Sequence, residues 1–312
     1  MSKVLAIFGA TGQQGSSVLN HVLNDSKLSP EYKIRAITRD VTSEKAQALK
    51  EKGNVDIVAG DVSDAKSLAT ALTGVHTVFA MTTPDISASA YEVELQNAKR
   101  IADVAVQQGV DYIIWSTLPS VHDISKGKYT LVVPFDVKAA AEQYIRTLPI
   151  KKAFLSLGSF MENFQAQTFL APKPAADGTY VLARHTSPKA KFPLLDAVGD
   201  TGKFAGAILA DPAKFEGKRL HAATKLYTGE EIAALLSKST GRDIVFKQVS
   251  TQEFRTSLPF FQDVFVEGFS FMDEYGYFGP DSEALVAEAG AVARGKLSTF
   301  EEFLERHPFQ LM

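Results

Sequence analysis

The feature that most restricts this chain's fold lies at its start. The apolar run Val4 to Phe8 leads directly into Gly9-Ala10-Thr11-Gly12-Gln13-Gln14-Gly15, and an amphipathic helical pattern follows from Ser16. A glycine-rich turn that joins a buried strand to a helix opens a βαβ unit, and the alternation continues to about residue 156. Further strand-like runs are Lys33 to Thr38, Val55 to Ala59, Thr77 to Ala80, Tyr112 to Ser116 and Lys152 to Ser156. Between them, Ser16 to Leu23, Ser43 to Lys52, Asp64 to Leu72, Tyr91 to Gln108 and Phe135 to Thr147 carry apolar residues at helical spacing. Strands apolar on both faces that alternate with helices specify a parallel sheet covered on both sides.

Past residue 156 the alternation loosens. Pro172-Lys173-Pro174 and Asp177-Gly178 mark a loop, followed by strand-like Tyr180 to Ala183, Arg219 to Ala223 and Ile244 to Val249. Thr228/Glu231 and Ser298/Glu301 have the spacing of capping boxes for two later helices. The expected architecture is α/β, a Rossmann-type doubly wound parallel sheet (1–156) with a smaller C-terminal α/β lobe (157–312) interleaved against it.

Within that frame the glycines acquire specific tasks. Gly9 suits a positive φ, Gly12 lets a pyrophosphate approach the backbone, and Gly15 lets the helix sit close to the sheet. The helix N-terminus favours an anion, and Thr11, Gln13 and Gln14 offer further donors. The second strand ends in Arg39-Asp40, about 20 residues on, where a bound dinucleotide has its ribose 2′ position. Arg39 offers a fork of donors to a 2′-phosphate, so NADP(H) is expected. An inward-pointing Asp40 would favour NAD(H) instead. Asp61 and Val62 after the third strand are placed to meet the adenine, although Asp61 could also cap the next helix. Thr82 and Thr83 follow the fourth strand, near where a nicotinamide ribose would lie.

Composition removes other chemistries. With no cysteine there is no disulfide or thiolate site, and the 6 histidines are scattered without metal-ligand spacing, so no metal is expected. A net charge of −3, from 33 basic and 36 acidic residues without long runs, offers no stripe for direct nucleic-acid binding. No apolar run approaches a membrane span. The expected location is the cytoplasm, with the nucleus also open.

The opening motif, the Ile37-Thr38-Arg39 tip, Gly60-Asp61, Pro134-Phe135-Asp136-Val137-Lys138, Phe160-Met161-Glu162-Asn163-Phe164 and Phe300-Glu301-Glu302-Phe303-Leu304 together resemble the NmrA-like family of atypical short-chain dehydrogenases. That family includes fungal nitrogen-metabolite regulators and NADPH-sensing relatives. The resemblance implies that Lys138 reaches the nicotinamide ribose and that Ser159 to Asn163, with Phe160 and Asn163, border the nicotinamide. It also implies a protein partner such as a transcription factor.

Short-chain dehydrogenases place a tyrosine four residues before that lysine as proton donor. Here the position is Pro134, and Tyr129 is nine residues away. A cofactor-sensing regulator with weak or no catalysis is therefore expected, the alternative being an NADPH-dependent reductase of a small apolar carbonyl, imine or enone with Lys138 as its catalytic residue. Hydrolysis is set aside, because no GxSxG elbow is present. The aromatic segment from Phe254 to Phe278 reads three ways: core packing, a lid over a substrate, or a docking patch.

Overall fold

A computed structural model describes residues 2–84 and 89–311. In chain order its strands are β1 (Lys3–Phe8), β2 (Tyr32–Thr38), β3 (Val55–Ala59), β4 (Thr77–Ala80), β5 (Tyr112–Thr117), β6 (Lys151–Leu157), β7 (Ser159–Phe160), β8 (Lys173–Pro174), β9 (Tyr180–Arg184), β10 (Lys191–Leu195), β11 (Arg219–Ala222), β12 (Lys225–Thr228) and β13 (Ile244–Gln248). Seven of them form one sheet in the order β11-β6-β5-β4-β1-β2-β3, and every pairing in it is parallel. The chain builds outward from β1 to β3, then returns to β4 on the other side of β1. Open parallel sheets bind ligands where the strand order reverses in this way, beyond the carboxyl ends of the central strands.

Successive residues of β1 supply both layers of the core. Leu5 and Ile7 join Phe79, Ile114 and Leu155 on one face, while Ala6 and Phe8 join Val78, Ile113, Trp115 and Phe154 on the other. Each such side chain contributes about 1.5–3 kcal/mol by leaving water, so the central strands anchor the fold. The helix Ala197–Ala210, from the later half of the chain, covers the first face through Phe204, Ala205, Ile208 and Leu209.

Arg219–Ala222, grouped above with the later region, is the seventh strand of this sheet. It runs parallel to β6 from Arg219↔Phe154 to Ala222↔Leu157 and covers an edge that would otherwise be open. Two smaller sheets make the remainder, β12-β10-β7 and β13-β9-β8. Their shared core includes Met161, Leu182, Leu194, Ile232, Phe300 and Phe303. β10 gives no strand signal in the sequence because Pro193 interrupts it, yet Pro193 pairs with Leu226 inside the antiparallel β10–β12 ladder.

The Thr228/Glu231 capping box forms, with both reciprocal bonds made. The last helix starts one residue later than its sequence suggests. Its box is Thr299/Glu302 rather than Ser298/Glu301, because this register puts Phe300, Phe303 and Leu304 into the core. Ser298 instead donates its N–H to buried Asp200 at 2.8 Å.

Candidate functional site

The phosphate turn lies at the carboxyl end of β1. Gly9 has φ +64°, and its carbonyl accepts from the Gly12 N–H at 2.8 Å. A Cβ at Gly15 would lie 2.2 Å from the Gly9 carbonyl oxygen, so only glycine lets the helix Gln13–Asn24 approach this closely. No side chain caps that helix, and its first turn holds no acidic residue, leaving N–H groups and a partial positive charge at the crevice. Gln13 is exposed, Thr11 and Gln14 are half-buried, and the buried Oε1 of Gln14 has no hydrogen-bond partner among the described residues. A polyphosphate fits this cradle.

Local hydrogen bonding distinguishes Asp40 from Arg39. Asp40 turns back on its own loop, accepting from the Thr42 N–H at 2.8 Å and the Thr42 hydroxyl at 2.6 Å, which holds it below the usual carboxylate range. Arg39 is exposed at the strand tip and forms no ion pair among the described residues. The cap of the helix Ala65–Leu72 is Asp64, so Asp61 is released from that alternative. Asp61 accepts from the Ser63 N–H and hydroxyl, and these bonds, helped by the charges of Arg39 and Arg100, lower its pKa. Val62 is half-buried beside it, and its carbonyl takes a hydrogen bond from Arg100 at 2.8 Å.

Beyond β4 the structure assembles a cluster that sequence reading found only in part. Lys138, 7% exposed, ion-pairs with Glu94 and lies 3.2 Å from the Thr82 carbonyl and 3.4 Å from its hydroxyl. Thr82 in turn donates to Glu94 at 2.6 Å. A lysine has three donors, and three acceptors surround this one. Glu94 sits on the helix Ala90–Gln107 and carried no motif; its one signal was an acidic residue on a helix's buried face. Thr83 is exposed at the strand's end.

Pro134 stands in the first turn of the helix Val133–Thr147, one turn before Lys138. Its ring carries no ionisable proton, and proline is at ease in a helix's first turn, where no N–H is needed. Tyr129 does not replace it, because its hydroxyl donates to Glu274 at 3.0 Å. Ser116 and Thr117 are both buried, and Thr117 donates to the Lys138 carbonyl at 3.2 Å, which fixes the helix to β5.

Ser159, Phe160 and Asn163 border a half-open cavity of about 100 Å³ that runs into the small lobe between Leu182, Arg184, Phe192 and Phe269. Glu162, between them, is structural: its carboxylate accepts from the N–H groups of Ala197 and Val198, and burial raises its pKa. Most of the aromatic segment is core. Phe254, Phe271, Tyr277 and Phe278 are buried and Phe269 lines the cavity, whereas Phe260 and Phe261 are 49% and 50% exposed. Among the described residues no cluster of three or more acidic or histidine side chains could hold a metal ion, and no helix is long and apolar enough to cross a membrane.

Against known proteins, the model of the NmrA-like family matches residues 1–304. An NmrA-like family domain-containing protein of Dictyostelium discoideum is 27% identical over the full length of both chains. The NmrA-like family domain-containing oxidoreductase lnaB of Aspergillus flavus is 28% identical, over 89% of this chain and 86% of its own. Among solved structures, NmrA, a negative transcriptional regulator in complex with NADP, superposes with TM-score 0.77 at 22% identity, covering 97% of this chain and 94% of its own. Triphenylmethane reductase of Citrobacter sp., complexed with NADP(H), gives 0.76 at 21%, covering 97% and 99%. With the glycine turn, the reversing parallel sheet and a family match over nearly its whole length, this chain belongs to the NmrA-like family.

Proposed function

We propose that the chain binds NADP(H) and signals cofactor occupancy to a protein partner, with little or no turnover of its own. The observation that carries this reading is Pro134. It occupies the proton donor's position beside an otherwise complete dinucleotide crevice, and Glu94 balances the charge of the lysine one turn on. The helix N-terminus at Gly12 to Gly15 would hold the pyrophosphate, with Thr11, Gln13 and Gln14 beside it. Arg39 would take the 2′-phosphate, Asp61 and Val62 the adenine, and Thr82, Thr83, Lys138, Phe160 and Asn163 the nicotinamide end. The solved regulator with bound NADP supports the same reading.

A physical route from crevice to small lobe supports the signalling role. Ser17, on the helix after the glycine turn, accepts from the Gly202 N–H at 2.8 Å. The helix that carries Gly202 is held at its own start by Glu162, which follows β7. In this reading residues 1–156 are the cofactor-binding part, completed by β11, and 157–312 the partner or substrate lobe, working in the cytoplasm or the nucleus. Titration calorimetry with NADP+, NADPH and NAD+ tests the cofactor, repeated on Arg39→Ala. The variant should weaken NADP(H) at least tenfold and leave NAD+ unchanged. Equal binding of NAD+ and NADP+, untouched by the substitution, would sink the assignment.

The cavity at Phe160 and Asn163 favours a second reading, an NADPH-dependent reductase of a small apolar carbonyl, imine or enone. The bound dinucleotide supplies a hydride; the protein orients the acceptor and excludes water. A carbonyl and quinone panel that leaves NADPH unconsumed, with binding shown separately, rejects it.

A further inference from the structure

Six charged side chains are buried among the described residues: Glu94, Lys138, Glu142, Arg184, Asp196 and Asp200. Five have ion-pair partners, Glu94 with Lys138, Glu142 with Arg146 and Arg219, Asp196 with Arg306, and Asp200 with Lys203. Arg184 has none among the described residues, although it is only 8% exposed. Taking a guanidinium out of water without a counter-charge is costly, and proteins retain such groups where a ligand supplies the charge.

Arg184 also lies in the wall of the cavity described above. Two carbonyls hold it there, those of Ala183 and Leu170, each at 2.7 Å, and the Phe254 and Phe269 rings lie 5.9 and 5.3 Å from its central carbon. These contacts orient the guanidinium and stiffen it, yet they use two of its five donors and bring no negative charge. Burial alone lowers its pKa, to about 10, so it stays cationic at neutral pH. Apart from Ser159, Asn163 and Gln167 the rest of the wall is apolar and rich in phenylalanine, with Phe160, Phe164, Phe192 and Phe246 beside Phe269. The cavity, about 100 Å³, is smaller than the roughly 150 Å³ that encloses benzene, so it has room for no more than a single ring, part of which would extend through its open side.

We propose that this cavity binds a monocyclic aromatic carboxylate, its carboxylate on Arg184 and its ring among the phenylalanines. The site adds ligand class to the preceding reading and rests on it only for the idea that the bound ring lies beside the nicotinamide. Bound there, the molecule would act as an effector that sets the small lobe's state.

The test is calorimetry of the full chain with benzoate, benzamide and cyclohexanecarboxylate, without cofactor and then with saturating NADP+. Benzoate should bind, benzamide at least tenfold more weakly because it lacks the charge, and cyclohexanecarboxylate in between. Arg184→Met keeps the length of the side chain and should abolish benzoate binding while thermal stability is held or raised, since an uncompensated buried charge is removed. Its NADP+ affinity, read in a separate titration, should stay unchanged. No benzoate binding at millimolar concentration, equal binding of benzoate and benzamide, or benzoate binding that survives in Arg184→Met overturns the proposal. So does an Arg184→Met chain that loses stability while the wild type ignores benzoate, for that marks the arginine as purely structural. Failure of NADP+ to bind while benzoate binds would count against the cofactor reading alone.

Discussion

The Lys138–Glu94 pair gives the sharpest test of the site's architecture. Both side chains are almost fully enclosed, at 8% and 4% exposure, and Thr82 is the other described side chain bonded to both. Glu94→Leu leaves a buried ammonium facing one carbonyl and one hydroxyl; Lys138→Met leaves a buried carboxylate with the Thr82 hydroxyl. Removing one partner of a buried pair costs about 3–5 kcal/mol, because the remaining charge is uncompensated. Replacing both removes that penalty, so the double variant should be less destabilised than the sum of the two by about 2 kcal/mol or more. In a chain of this size each kcal/mol corresponds to roughly 1.5 °C, so each single variant should melt roughly 5–8 °C lower. Urea denaturation of the four proteins measures the cycle through the midpoints at constant slope. Additive losses, or single losses below about 1 kcal/mol, would refute the picture of a buried and mutually dependent pair.

Three other perturbations follow from local geometry. Gly12→Ala places its Cβ 3.3 Å from the Gly9 carbonyl oxygen and should fold while binding NADP(H) poorly, whereas Gly15→Ala meets that oxygen at 2.2 Å and should fail to fold stably, as circular dichroism and calorimetry would report. Phe261 holds φ +50° with a half-exposed ring, so Phe261→Gly should raise the melting midpoint by relieving about 1 kcal/mol of backbone strain. His221, packed edge-on to Phe278, has its pKa lowered by burial from 6.5 to about 4. Above pH 6.5 it is neutral in both states and contributes no pH dependence. As pH falls from 6.5 towards 4 the unfolded chain takes up a proton that the folded chain refuses, so stability falls by at most about 3 kcal/mol. Urea midpoints at pH 7.5, 5.5 and 4 should show a shallower decline in His221→Phe than in the wild type; parallel declines would contradict the assignment.

Local signals in the sequence carried the central half of the fold and less of the rest. Strands β1, β4, β5 and β6 were readable because both of their faces are buried over most of their length, which makes each a short apolar run bounded by turn residues, and β2 and β3 were readable from their β-branched residues. β10 was not, since Pro193 breaks the pattern and only pairing with Leu226 across the ladder makes the segment a strand. The strand character of β11 was visible, but its place beside β6 is set by tertiary contacts that no local pattern encodes. The last helix shows how two overlapping capping boxes are separated by the residues they send inward: Thr299 wins over Ser298 because Phe300 and Phe303 then face the core. At the site, the glycine turn could be read because its spacing is its mechanism. Arg39 could be proposed from its place at the strand tip, whereas the engagement of Asp40 by Thr42 shows only in the structure. Glu94 lies 44 positions from its lysine, and Arg184 becomes conspicuous only when every buried charge is matched with its partner.

If Lys138 stands where a short-chain dehydrogenase has its lysine, the crevice lacks both halves of the usual proton-donating device. A dehydrogenase lysine works by placing a positive charge next to a phenol, which lowers the phenol's pKa. Here Pro134 removes the phenol, and Glu94 offsets the charge that would have acted on it. Two of the nearby tyrosines are engaged elsewhere. Tyr129 donates to Glu274, and Tyr277 is enclosed, donates to the Leu157 carbonyl at 3.0 Å and has its pKa raised by burial. A reduction here would not draw its proton from a tyrosine at position 134 or from Tyr129 as it is held in this structure. Turnover, where measured, should be unchanged by Tyr129→Phe and should show no loss of rate with a midpoint in the range of an activated phenol. A rate that collapses in Tyr129→Phe, with the fold and NADPH affinity intact, would show that the hydroxyl leaves Glu274 and serves the reaction.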